Sequence, residues 1–118
     1  MTDATMFPEF STNYPLLLTT LMKRPVEIYP DEIGVVYRNQ ATGEYFRFTW
    51  QAWYRRTSRL ANVLQKALGV TSGNAEQPGD RIATMALNTH RHLELYFAVP
   101  CIGATIHPVN VRLSQDHI

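Results

Sequence analysis

The side chains capable of chemistry crowd into two short runs, Asn88-Thr89-His90-Arg91-His92-Leu93-Glu94 and His107-Pro108-Val109-Asn110, separated by an apolar stretch that holds the single cysteine, Cys101. His90, His92 and Glu94 are the atom types that bind zinc. On a helix, however, only His90 and Glu94 share a face, and a closed site needs about four ligands. They read as structural or surface groups, and no metal site is expected. Cys101 has no neighbouring base or helix N-terminus to activate its thiol, so it reads as a small buried hydrophobe. No catalytic residue is assigned. The candidates for ligand contact are Asn88, Thr89, His90, His107 and Asn110, because they fall at the carboxyl ends of two predicted strands, where α/β sheets bind their ligands. The plainer reading, in which Asn88 and Asn110 satisfy turn backbone, stays open beside it.

Those positions depend on the elements around them. Pro78-Gly79-Asp80 is turn chemistry, and Arg81 to Leu87 after it reads as a buried strand. Thr89 is an N-cap for a helix reaching Ile102, Gly103 suits its left-handed exit, and Ala104 to Pro108 returns as a second strand. Such a crossover implies a parallel pair with a right-handed connection. The helix carries apolar residues around nearly its whole circumference, which predicts burial on all sides. Upstream, Gly34 to Arg38 and Tyr45 to Thr49 flank Asn39 to Gly43 as a β-hairpin. Thr49 caps a helix from Trp50 to Leu68, with Trp50, Trp53, Thr57, Leu60, Ala61, Leu64, Ala67 and Leu68 in one stripe. Trp50 and Trp53 are its core anchors, and Arg55, Arg56 and Arg59 its solvated side. Residues 71 to 77 read as a surface loop tolerant of length change. Pro15 to Arg24 is a short helix stopped by Pro25, and residues 1 to 14 are a loose arm.

Composition narrows the function classes. The chain has 118 residues, 45% hydrophobic and 18% charged, with 11 basic and 10 acidic residues for a net charge of +1. That is the composition of a soluble globular protein, and it offers no electrostatic footprint for nucleic acid. No apolar run approaches the roughly 20 residues that span a bilayer, and the N-terminus has no secretory pattern. A lone cysteine suits a reducing compartment, so a cytoplasmic location is expected.

Read in order, Phe48 to Leu64 (FTWQAWYRRTSRLANVL), Gly79 to Ala83 (GDRIA) and Asn88 to Ile118 (NTHRHLELYFAVPCIGATIHPVNVRLSQDHI) resemble the N-terminal segment of the adenylate-forming, or AMP-binding, enzymes. Within that family the Asn-Thr-His-Arg-His-Leu-Glu run is similar to the fatty-acyl-CoA synthetases of the medium-chain-like branch. The resemblance covers about Tyr29 to Ile118. It departs at Ala52 and Trp53, where acidic and leucine residues are usual, and at Val111, where proline is usual.

The resemblance implies the α/β fold of the family's large domain, in part: a β-hairpin and a βαβ crossover, with residues 15 to 118 forming an incomplete domain truncated at its C-terminal end. For a parent enzyme it implies ATP, Mg and CoA: a carboxylate attacks the α-phosphate of MgATP to give an acyl-adenylate and pyrophosphate, and the CoA thiol then displaces AMP. The family's phosphate loop, its Tyr-Gly-x-Thr-Glu motif, its ribose-binding aspartate and its C-terminal lysine have no counterpart here; the only lysines are Lys23 and Lys66. The expectation is an N-terminal fragment of an ATP-dependent acyl-CoA ligase, inactive alone, whose partners are the rest of the parent chain and, through it, a small carboxylic acid. The alternatives are a stand-alone interaction module derived from such a segment, or a fragment of a related aryl-acid or methylthioalkanoate CoA ligase.

Overall fold

A computed structural model describes residues 17–117. The expected arm, residues 1 to 14, and the start of the first helix at Pro15 lie outside the described residues. The element order is helix α1 (Leu18–Ile28), strands β1 (Ile33–Arg38) and β2 (Tyr45–Thr49), helix α2 (Trp50–Lys66), strand β3 (Arg81–Thr84), helix α3 (His90–Cys101), strand β4 (Thr105–Pro108) and a 3-10 turn (Gln115–His117). This is the expected α/β chain.

Pro25 does not stop α1, which runs through it to Ile28. A proline in a helix leaves the carbonyl four residues earlier without its donor, and here that residue is Leu21, which is exposed, so water can serve it.

The hairpin closes where its turn residues require. The Asn39 side chain accepts from the Ala41 amide at 2.9 Å, and the Gly43 amide donates to the Asn39 carbonyl at 2.8 Å. In register, Val35 faces Phe48 and Tyr37 faces Phe46, with a bulge between Ile33 and Val35. Gly34 sits at that bulge because the Trp50 ring lies against it: a Cβ there would fall 2.2 Å from the indole. Thr49 then caps α2, its hydroxyl accepting from the Ala52 amide at 3.1 Å.

β3 and β4 pair in parallel, Arg81 with Thr105 through Thr84 with Pro108. The first strand ends at Thr84, three residues before the expected Leu87, because its partner ends at Pro108; Met85 and Leu87 pass beyond the ladder and are exposed. α3 leaves through a Schellman turn. The Gly103 amide donates to Pro100 at 2.9 Å and the Ala104 amide to Val99 at 3.2 Å, with Gly103 at φ +76°.

Two apolar clusters hold these elements. Leu64, Ala98, Val99, Ile102 and Ala104 join α2, α3 and β4, and Met22, Val35 and Trp53 join α1, β1 and α2. Trp53 meets Phe97 edge-on at 5.0 Å and 87°, and Trp50 meets Trp53 at 5.8 Å and 80°, so both indoles anchor the core as expected.

The loop before β3 lies at the surface as expected but is held at several points, and one expectation, for α3, is corrected. In the loop, the Gly73 amide donates to Gly103 at 2.8 Å, Ser72 Oγ donates to the Ile102 carbonyl, and the Asp80 carboxylate accepts from the Thr71 amide at 2.7 Å. The Thr71 hydrogen bonds hold the Asp80 carboxyl below its ordinary pKa. Helix α3 is not covered on all sides. Leu93 and Tyr96 are 37% and 40% exposed while the polar His92 and Glu94 are buried, since each of these two has a partner inside and the apolar pair lines an open cleft with Val35, Val36 and Tyr37.

Candidate functional site

The N-terminus of α3, the C-terminal end of β3 and one face of the hairpin meet. Residues that face one another across an antiparallel ladder, and residues two apart on a strand, share a side of it. Val35, Tyr37, Phe46 and Phe48 therefore form one wall, and Arg38, Tyr45 and Arg47 the other. On the outer side both guanidiniums lie over the Tyr45 ring, Arg38 at 5.8 Å and Arg47 at 5.3 Å. On the inner side stands His90, its ring 5.1 Å from Tyr37, 5.1 Å from Phe48 and 6.1 Å from Phe46.

Behind His90 lies an ion pair. Arg56 Nε donates to Glu94 Oε1 at 2.6 Å, and a second guanidinium nitrogen reaches Oε2 at 3.4 Å. The guanidinium also covers the Phe48 ring at 4.9 Å. Arg56 is thus set apart from the exposed Arg55 and Arg59: it does not belong to a solvated face, because a buried carboxylate on α3 recruits it. His92 Nε2 and Thr84 Oγ1 share a hydrogen bond of 3.0 Å, which joins α3 to the end of β3. His90, His92 and Glu94 are therefore engaged with three different neighbours, and among the described residues no group of three His, Cys, Asp or Glu side chains converges to hold a metal ion. These residues do not form a site for a divalent cation such as Mg. Cys101 is free and half-buried, and burial pushes its thiol pKa up, away from nucleophilic use.

Three open clefts adjoin around this junction, of about 260, 480 and 570 Å³, and Tyr37 and Thr89 line all of them. Asn88 and His90 each line two. The structure therefore brings three of the five candidate contact residues, Asn88, Thr89 and His90, to one concave surface. Thr89 also caps α3, accepting from the His92 amide at 3.3 Å. The other two do not line these three clefts: His107 is exposed on β4, opposite Ala83, and Asn110 builds a turn, its side chain accepting from the amide of Arg112, which lines the third cleft, at 3.0 Å. The aromatic wall, Arg56 and Glu94 belong to the site although sequence reading did not single them out together. The signal for the wall was the two-residue alternation in Tyr45-Phe46-Arg47-Phe48; which helix would dock on it was not encoded locally. The surface has aromatic faces, amides, hydroxyls and cations, and holds no nucleophile with a neighbouring base.

The chain belongs to the family of AMP-binding enzymes, whose model matches residues 22–118. It is 48% identical over 77 residues to a long-chain-fatty-acid CoA ligase of Thermus thermophilus, covering 65% of this chain and 13% of that protein. It is 35% identical over 108 residues to the peroxisomal benzoate CoA ligase of Arabidopsis thaliana, covering 92% of this chain and 16% of that protein. Among solved structures, the fatty acyl CoA synthetase of Mycobacterium tuberculosis superposes with a TM-score of 0.65 at 25% identity, over 83% of this chain and 17% of that one. The chain thus spans less than a fifth of the length of each of these relatives. No helix among the described residues is long and apolar enough to cross a membrane.

Proposed function

We propose that this chain is the N-terminal part of the adenylate-forming domain of an ATP-dependent acyl-CoA ligase, with residues 15 to 118 as a partial domain, and that it has no ligase activity alone. One observation carries the reading: 97 residues fit the AMP-binding model, 22 to 118, while none of the phosphate-binding or metal-binding groups of that chemistry is among them. The described residues build a scaffold. In the assembled enzyme they would support the surfaces on which a carboxylic acid, MgATP and CoA react, and ATP, Mg and CoA would be held by other residues. The acid stays at the level of its class, because relatives named for a long-chain fatty acid and for benzoate both match these residues. We place the protein in the cytoplasm on its single unpaired cysteine.

The test is carboxylate-dependent release of pyrophosphate from ATP by the isolated chain, with fatty and aromatic acids in turn. The expected result is no release above the protein-free control. Turnover with any acid overturns the reading.

A further inference from the structure

We propose that the docking of the hairpin on α3 is a pH-sensitive latch, with His90 as the sensing group: the neutral imidazole fits the aromatic wall, and the imidazolium does not. The geometry carries this. The half-buried ring stands against Tyr37 of β1 and Phe46 and Phe48 of β2, with part of it facing the open clefts, and its Nδ1 is buried with no hydrogen-bond partner. A neutral imidazole tolerates that environment by carrying its proton on Nε2 and leaving a lone pair at Nδ1. An imidazolium is a donor at both nitrogens, so protonation must create a buried N–H with no acceptor.

The charges around the ring act in both directions, with Glu94 favouring the imidazolium and the guanidiniums of Arg56 and Arg91 opposing it. Arg56 of α2 covers the Phe48 ring and holds both oxygens of Glu94, so the carboxylate nearest His90 on its own helix is already matched. Arg91 adds a second cation on α3. The hairpin's own cations, Arg38 and Arg47, lie over Tyr45 on the far side of the ladder. The rings could attract a cation through their faces, but Arg56 has taken that role at Phe48. Desolvation is the largest cause and lowers the pKa of His90 from its ordinary value; Glu94 next opposes it, and Arg56 and then Arg91 lower it further. The sign follows. An undocked His90 takes up a proton first, so docking is fully stabilised above about 6.5 and weakens as pH falls through the lowered value of the docked state.

The experiment is an NMR titration of the 118-residue chain from pH 8 to pH 5, reading the His90 ring nitrogens together with amide protection in β2 and the first turn of α3, corrected for intrinsic exchange. The expected result is that His90 titrates below the ordinary imidazole range and that β2 loses protection over the same interval. H90F, which fills the wall with an aromatic ring that cannot titrate, is expected to keep β2 protected down to pH 5. An ordinary or raised His90 titration, unchanged β2 protection while His90 titrates, or a pH-dependent loss that persists in H90F overturns the latch.

Discussion

Glu94 is 5% exposed and ionisable, and Arg56 is the partner that makes its burial tolerable. Removing one member of a fully buried pair costs about 3–5 kcal/mol. The Arg56 side chain keeps 41% of its surface open to water, so screening reduces that figure, and we expect Arg56→Met to destabilise the fold by about 2 kcal/mol. Glu94→Leu combined with Arg56→Met should recover most of the loss, since no unmatched charge then remains. A double-mutant cycle by urea denaturation checks both; additive costs would show that the pair is not coupled. His92 and Thr84 form the neutral counterpart of this contact, and their hydrogen bond places the start of α3 over the end of β3.

Elements meet at two positions that admit little change. Gly34 allows the Trp50 indole to lie flat on β1, and any side chain there would occupy the ring's own space. Gly34→Ala should cost about 1–3 kcal/mol through displaced packing at the hairpin and α2 junction. Thr49 ends β2 and caps α2, so Thr49→Ala should cost about 1 kcal/mol through the unmatched Ala52 amide. Thermal unfolding followed by circular dichroism ranks the two, with the glycine variant expected to be the less stable. Most elements were legible from local sequence. The hairpin, the caps at Thr49 and Thr89 and the exit at Gly103 rest on hydrogen bonds between near neighbours. The run of α1 through Pro25 and the early end of β3 were not legible, because the first depends on which side of the helix meets water and the second on the partner strand.

At the scale of the whole molecule, the β3 and β4 pair is a two-stranded parallel sheet in which Thr105 and His107 on β4, and Arg81 and Ala83 on β3, are exposed. Parallel sheets are stable when covered on both faces, and here α3 with α2 covers one. Leu93 and Tyr96 on α3, with Met85 and Leu87 beyond β3, add open apolar surface. We expect the isolated chain to bind an apolar fluorescent dye and to self-associate with rising concentration, as scattering would record. A monodisperse chain that unfolds cooperatively and ignores the dye would favour the stand-alone module instead. By itself, the sequence determined the element order, the family and the lack of phosphate-loop chemistry, because periodicity, caps and motifs are written in consecutive residues. Only the tertiary structure decided that Arg56 belongs to Glu94, that His90 sits against Tyr37, Phe46 and Phe48, and that Asn88, Thr89 and His90 line adjoining clefts with Tyr37. Those pairings join residues up to 53 positions apart, Tyr37 to His90, and no local pattern specifies which distant surface a helix will meet.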